Sequence, residues 1–252
     1  MPRFGLSNIF VLRQLFNRKK QIFSEKLKKP VSLSAKIYTM AKVIQLTYNA
    51  FEENTYIVHD ESGECVIFDP GCSNSREEKH LATTIDELGL KPVRLINTHC
   101  HIDHILGNKF VAERYHLTLE IHRGELPVLQ SAPKSALLFG LPIPESAPLA
   151  DHFLEAGETI DFGQTVLKIL LTPGHSPASL SFFCEADQFL IAGDVLFYGS
   201  IGRTDLPGGD YDTLINSIRR ELFPLGDDVR VYPGHGQATS IGFEKRYNPF
   251  LS

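Results

Sequence analysis

Three histidines and one aspartate crowd into six consecutive positions of the segment THCHIDH, residues 98–104. In an extended segment His99 and His101 point the same way, because side chains two apart share a face. Asp103 and His104 follow where a helix is predicted to begin, so they can reach a second position. Imidazole and carboxylate groups are the ligands that Zn²⁺, Fe²⁺ and Mn²⁺ accept in proteins. A polar surface loop is the competing interpretation of this segment.

Three further polar side chains each follow an apolar strand and a glycine. His175, Asp194 and His235 lie in the turns PGHS, AGDV and PGHG. Glycine lets the backbone turn sharply, and loops at strand ends are where α/β proteins usually build their sites. Histidines outside these turns are interpreted as surface or internally hydrogen-bonded groups: His59, His80, His116, His122 and His152.

Seven candidate ligands exceed the four of a tetrahedral zinc site and suit two metals that share one ligand. A carboxylate has two oxygens, so Asp194 is the natural shared ligand. Metal binding lowers the pKa of water from about 15.7 to about 7. Such a pair of metals therefore provides a hydroxide nucleophile without any Ser or Cys.

The elements that must position these side chains alternate between strands and helices. Several strand pairs are close enough to form hairpins, which predicts a layered α/β protein with mixed sheets. Residues 131–150 contain four prolines without a clear period and predict an irregular loop or lid. The predicted strands cover 42–48, 54–60, 64–70, 93–97, 117–122, 164–172, 179–185, 188–194 and 229–234, and the predicted helices cover 76–89, 107–116 and 210–223.

Charge is distributed unevenly along the chain. Residues 1–39 carry nine Lys or Arg and one acid, which leaves 16 basic and 29 acidic residues for 40–252. An acidic body is a poor partner for nucleic acid, because neutralising phosphates needs a basic face. We interpret 1–39 as a basic N-terminal extension. It is a disordered or basic amphipathic arm, a transit-like segment, or a stretch upstream of a natural start at Met40.

Charged residues interrupt the apolar groups of this extension, so neither a membrane span nor a secretory signal is predicted there. The chain has four cysteines without a CxxC pair or the spacing of a disulfide framework. A reducing, cytoplasmic compartment is therefore expected. Cys100, between two candidate ligands, is interpreted as a small buried side chain.

The segment THCHIDH matches the HxHxDH signature of the metallo-β-lactamase superfamily, and the three later turns follow in that superfamily's order. The resemblance covers residues 40–252 and implies a four-layer αβ/βα sandwich with two mixed β-sheets and metals in a groove between the sheets. It implies two divalent ions, Zn²⁺ first, with Fe or Mn as alternatives. Carried over by position, the ligands are His99, His101 and His175 for one metal, Asp103, His104 and His235 for the other, and Asp194 as the bridge.

Asp194 and the stretch GDVLFYGSIGRTDLPGGD resemble the compact, glyoxalase II-like (hydroxyacylglutathione hydrolase-like) members. The resemblance implies a small-molecule thioester substrate and a metal-bridging hydroxide, with Asp103 orienting the hydroxide and accepting its proton. Tyr198 and Arg203 are candidate substrate contacts, although an ion pair of Arg203 with Asp205 is the competing interpretation. Full-length glyoxalase II has a lysine and a tyrosine where Arg203 and Asp205 stand, which leaves the thiol carrier open.

Other activities of the same superfamily stay as alternatives. Persulfide dioxygenases carry HxHxDH and a GRTD stretch, and they use one iron held by the equivalents of His99, His175 and Asp194. An RNA-processing nuclease is disfavoured by the acidic body. A non-catalytic binding protein is disfavoured because all seven ligands are present. The acyl group and the oligomeric state do not follow from the sequence.

Overall fold

A computed structural model describes residues 41–141 and 143–251, so the predicted extension at 1–39 lies outside the described residues. The first sheet has the strand order β1-β2-β3-β4-β5. Pairing is antiparallel from β1 to β3 and parallel from β3 to β5, so the sheet is mixed. Its strands are β1 Lys42–Tyr48, β2 Glu53–His59, β3 Glu64–Phe68, β4 Lys91–Ile96 and β5 Leu119–Glu120.

The second sheet has the strand order β13-β12-β9-β8-β7-β6. The pairing of β12 with β9 is parallel and its other pairings are antiparallel. A separate two-stranded hairpin is formed by β10 and β11. These strands are β6 Thr159–Phe162, β7 Thr165–Leu171, β8 Leu180–Cys184, β9 Phe189–Gly193, β10 Leu196–Phe197, β11 Ser200–Ile201, β12 Arg230–Pro233 and β13 Thr239–Ser240.

The helices begin at conventional capping residues in several places. Asn74, Asp210 and Ser240 each accept a hydrogen bond from a backbone N–H of the first turn that follows. The α-helices are α1 Ser75–Glu87, α2 Ile102–Ile105, α3 Asn108–Tyr115, α4 Leu126–Phe139, α5 Tyr211–Ser217 and α6 Ile241–Tyr247.

Three apolar clusters hold the layers together. Between the sheets, Phe68 on β3 packs against Phe182 on β8 with ring centroids 4.9 Å apart. Leu81 of α1 belongs to a second cluster on the outer face of the first sheet. Leu214 of α5 and Ile241 of α6 belong to a third cluster, on the outer face of the second sheet. The order helices, sheet, sheet, helices is the predicted four-layer αβ/βα sandwich with two mixed sheets.

Burial along the strands explains their composition. Every residue of β8 and β9 is buried, and their sequences LSFFC and FLIAG are almost continuously apolar, because these central strands are covered on both faces. Strand β6 instead alternates between exposed and buried residues, as TIDF. This short alternation beside a turn was not predicted as a strand.

The prediction of an irregular loop over 131–150 is wrong for its first part. Helix α4 continues to Phe139 with Pro133 inside it and ends at Gly140, whose φ is +66°. Ala132 and Ala136 of this helix are buried in the outer cluster of the first sheet. Packing of this face offsets the hydrogen bond that a proline removes. Within the described ranges, no helix has both the length and the apolar character to cross a membrane.

Candidate metal centre

The strand ends bring the predicted ligands to one edge of the sandwich. His99 and His101 lie in the extended segment between β4 and α2, and α2 carries Asp103 and His104. In the second sheet β7, β9 and β12 run in the same direction, so their carboxyl ends meet at one edge. The turns after these three strands carry the remaining candidates: His175, Asp194 and His235.

The first predicted set of three imidazoles is in close contact. His175 Nε2 lies 2.8 Å from His101 Nδ1 and 3.2 Å from His99 Nε2. His99 and His175 are buried and His101 is half-buried. Three ring nitrogens therefore converge on one point, within the reach of a single cation.

The second predicted set lies beside the first. Asp103 Oδ2 lies 3.1 Å from His235 Nε2 and 3.5 Å from His104 Nε2. Asp194 faces both sets, because its Oδ2 is 3.4 Å from His175 Nε2 and its Oδ1 is 3.5 Å from His104 Nε2. The structure thus brings all seven predicted side chains together, with Asp194 between the two groups.

Unpartnered buried atoms show that this cluster suits cations. Asp194 Oδ1 and His104 Nε2 are fully buried without any hydrogen-bond partner in the structure. Leaving a buried polar group unsatisfied costs about 1–3 kcal/mol, and more for a charged group. Both atoms face the second set, so one cation there would satisfy them. The imidazole and carboxylate donors present at both sets are of the types that divalent metal ions accept.

The protonation states of the first set and of Asp194 match this interpretation. Burial lowers the pKa of His99 well below its ordinary value, and burial together with His175 lowers that of His101 to about 3. Burial acts to raise the pKa of Asp194, but His104 and other histidines outweigh it and hold that pKa well below the usual range. Neutral imidazoles and an ionised carboxylate are the forms that bind metals. In the second set, Asp103 and Asp194 outweigh the effect of burial and raise the pKa of His104 and of His235, so a cation there would displace their protons.

Hydrogen bonds at the outer ring nitrogens fix how the imidazoles are presented. His175 Nδ1 donates to the Arg203 carbonyl at 2.8 Å, and His235 Nδ1 donates to the Phe51 carbonyl at 3.0 Å. His104 Nδ1 lies 3.2 Å from Asp69 Oδ2. Each contact leaves the Nε2 lone pair directed at the cluster, which is the usual arrangement for metal-binding histidines.

Asp69 falls within the predicted strand 64–70 and was not among the predicted site residues. Its carboxylate accepts from Thr98 N and Thr98 Oγ1, both at 2.6 Å, and from Asn97 Nδ2 at 3.2 Å. Asp69 also lies close enough to His99 and His104 to form a third ligand group. Because hydrogen bonds already engage both of its oxygens, we assign Asp69 to orienting the ligand loop.

Two glycines permit the close approach of the turns. A Cβ atom added at Gly234 would overlap Asp194 Oδ1. Gly174 has φ +127°, and a Cβ atom there would overlap the backbone of Leu214. The glycines that precede His235 and His175 are therefore required by the geometry of the site.

The two candidate substrate contacts have other partners in the structure. Tyr198 stacks on Phe243 with ring centroids 4.7 Å apart. Arg203 donates two hydrogen bonds to the Asp205 carboxylate, at 2.6 and 2.8 Å. The geometry of Arg203 is therefore that of an ion-pair partner of Asp205, as the competing interpretation predicted. Contact of Tyr198 or Arg203 with a substrate stays a prediction.

Proteins of known sequence and structure are similar to this chain. The hydroxyacylglutathione hydrolase GloC of Haemophilus influenzae is 38% identical over 206 residues, which cover 81% of this chain and 94% of the relative. The crystal structure of BLEG-1 B3 metallo-beta-lactamase is 36% identical with a TM-score of 0.77, covering 84% of this chain and 100% of that chain. TTHA1623, crystallised in a di-iron-bound form, is 37% identical with a TM-score of 0.74, covering 83% and 100%. The profile described as the metallo-beta-lactamase superfamily matches residues 48–235. The chain belongs to the metallo-β-lactamase superfamily.

Proposed function

We propose that this protein is a binuclear metal-dependent hydrolase of small-molecule thioesters, with hydroxyacylglutathione-type thioesters as the first candidates. The observation that carries this proposal is the position of Asp194, whose two oxygens face the two adjacent sets of ligands. The similarity to a hydroxyacylglutathione hydrolase supports the substrate class. The acidic composition of residues 40–252 supports a small molecule rather than a nucleic acid.

Two divalent cations, Zn²⁺ first with Fe or Mn as alternatives, would supply a hydroxide at neutral pH and polarise the substrate carbonyl. The four buried, unpaired cysteines support a reducing, cytoplasmic setting. We assign the ligands as His99, His101 and His175 for one ion, and Asp103, His104 and His235 for the other. We assign Asp194 to both ions, because its two oxygens face the two sets.

The environment of Asp103 supports its assignment as the proton acceptor of this reaction. Its Oδ2 lies between His104 and His235, at the mouth of the second set, and its side chain keeps a small exposed fraction of 13%. We assign it to orient the attacking water and to accept the water's proton. The thiolate that leaves is stable without protonation, so the reaction requires no separate protein acid.

An anionic thiol carrier such as glutathione would have to compete with Asp205 for Arg203. Arg203 is the candidate for binding an anionic carrier, but its guanidinium is paired bidentately with Asp205. Binding of an anionic thiol carrier by Arg203 would require the ion pair between Arg203 and Asp205 to open. The thioester therefore has to be identified by assay with several thiol carriers.

The test uses protein purified without a metal-binding tag. We expect about two metal ions per chain, release of free thiol from lactoylglutathione or another thioester, and no consumption of oxygen. Metal-free protein is expected to be inactive and to regain activity when Zn²⁺, Fe²⁺ or Mn²⁺ is added. Turnover that persists after complete metal removal would contradict the proposal.

One observation favours a second candidate. His99 Nε2, His175 Nε2 and Asp194 Oδ2 form a compact group, with distances of 3.2 and 3.4 Å from the His175 nitrogen to the other two atoms. Two histidines and one carboxylate are the ligand set of many non-haem iron oxygenases. A persulfide dioxygenase would contain one iron per chain and consume oxygen with a persulfide substrate. That result would replace the hydrolase by this second activity.

A further inference from the structure

Glu125 is a buried acid outside the predicted ligand set. It ends the 3₁₀ turn Arg123–Glu125, directly before α4, and the residue is 1% exposed. Burying a carboxylate costs free energy unless donors satisfy its oxygens. The sequence analysis did not single out this residue, because HRGE has no local pattern that distinguishes it from a surface turn.

The donors to Glu125 all belong to the loops that carry the first ligand set. Its Oε2 accepts from Cys100 N at 3.0 Å, and its Oε1 accepts from Ala178 N at 2.8 Å. The Ser176 hydroxyl lies 2.6 and 2.7 Å from the two oxygens and donates to them. Cys100 stands between His99 and His101 in the chain, and Ser176 follows His175.

One carboxylate therefore joins two loops that come from different sheets. The first loop follows β4 and presents two imidazoles, and the second follows β7 and presents the third. The three imidazoles must approach within 2.8 and 3.2 Å of one another, so small displacements of either loop would separate them. A rigid, fully buried link between the loops is suited to hold this spacing.

We propose that Glu125 is a positioning residue that fixes the first metal site by clamping the His99–His101 loop to the His175 loop. This inference rests on the metal-binding part of the proposed function. Both oxygens of the carboxylate are needed, because each accepts a backbone N–H from a different loop. A glutamine has one acceptor oxygen, so in Glu125→Gln the amide nitrogen would face either Cys100 N–H or Ala178 N–H.

Asp60 provides a matched control at the opposite end of the sandwich. Its side chain is also buried, and it accepts from Ser62 N at 2.9 Å, Gln164 N at 2.6 Å and Thr165 Oγ1 at 2.9 Å. It links the β2–β3 turn to the β6–β7 turn, away from the ligand loops. Asp60→Asn therefore removes a comparable buried link without touching the metal centre.

The experiment titrates metal-free wild type, E125Q and D60N with Co²⁺ and records the visible absorption spectrum. Affinity is measured by competition with a chromophoric chelator, and thermal unfolding of each metal-free protein is measured separately. We expect E125Q to bind Co²⁺ about 10–100-fold more weakly and to change the spectrum, as loss of an outer partner does at other sites. We expect D60N to keep the wild-type affinity and spectrum although its unfolding temperature falls.

Wild-type affinity and spectrum in E125Q would overturn the positioning role, and so would equal weakening in D60N. If E125Q does not fold, S176A tests the same link, because it removes one donor and leaves both backbone bonds in place. It is expected to weaken Co²⁺ binding by a smaller factor, and an unchanged affinity would overturn the proposal. The assay contains no thioester, so failure of the proposed substrate does not affect it. Wild-type protein that binds no Co²⁺ would contradict the metal centre itself.

Discussion

Replacing His99 by alanine is expected to lower thioester turnover by at least about 10³-fold, which corresponds to about 4 kcal/mol. The imidazole is fully buried, and its Nε2 lies 3.2 Å from His175 Nε2. Its removal leaves the first site with His101, His175 and the shared Asp194, so the ion there loses one of its four protein ligands. Metal content should fall by at least one ion per chain, measured by elemental analysis alongside thiol release.

His152→Ala is the matched control for this variant. His152 is exposed and pairs with Glu158, outside the ligand turns. We expect this variant to keep the metal content and the turnover of the wild type. Full activity in His99→Ala, with two ions still bound, would show that this histidine is not a ligand.

The Asp194→Asn substitution is expected to have a second large effect. Asparagine preserves the shape of the side chain but supplies one uncharged acceptor oxygen instead of two oxygens that share a negative charge. The two oxygens of Asp194 face different ligand sets, so the substitution should weaken both sites and remove the shared ligand. We expect metal content to fall toward one ion per chain or below, and kcat to fall by about 10²–10³-fold or more.

A control for Asp194→Asn is available on the same sheet. Asp161 lies on the exposed face of β6, where it accepts a hydrogen bond from Thr159 Oγ1. Asp161→Asn should leave metal content and turnover unchanged. If Asp194→Asn kept two ions per chain and wild-type kcat, the bridging role would be wrong.

The sequence allowed the ligand turns to be predicted at the edge of the sheets for a physical reason. Apolar strands that end in Gly-His or Gly-Asp turns place polar groups at the edge of a sheet. In the structure β7, β9 and β12 run in one direction, so the turns that follow them lie at the same edge. The assignment of ligands to two sets came from the family resemblance, since spacing along the chain does not report which turns meet. The order of the layers, with helices outside two mixed sheets, was predicted from the family resemblance and is confirmed.

The two buried acids that hold the ligand loops, Asp69 and Glu125, could not be predicted in this way. Asp69 binds Thr98, 29 positions away, and Glu125 binds Ser176, 51 positions away. Neither the DPG turn nor the HRGE turn has a local pattern that reports such a distant partner. Helix α4 was missed for a related reason, because Pro133 disfavours a helix locally while burial of Ala136 in the outer cluster stabilises it.

The central claim is that seven converging side chains hold two cations that share Asp194. Anomalous diffraction from crystals of metal-loaded protein tests it most directly. We expect two anomalous peaks, each about 2.0–2.2 Å from its ligand atoms, with an Asp194 oxygen beside each. A single peak at His99, His175 and Asp194 would contradict the binuclear centre, and peaks elsewhere on the chain would contradict the site itself.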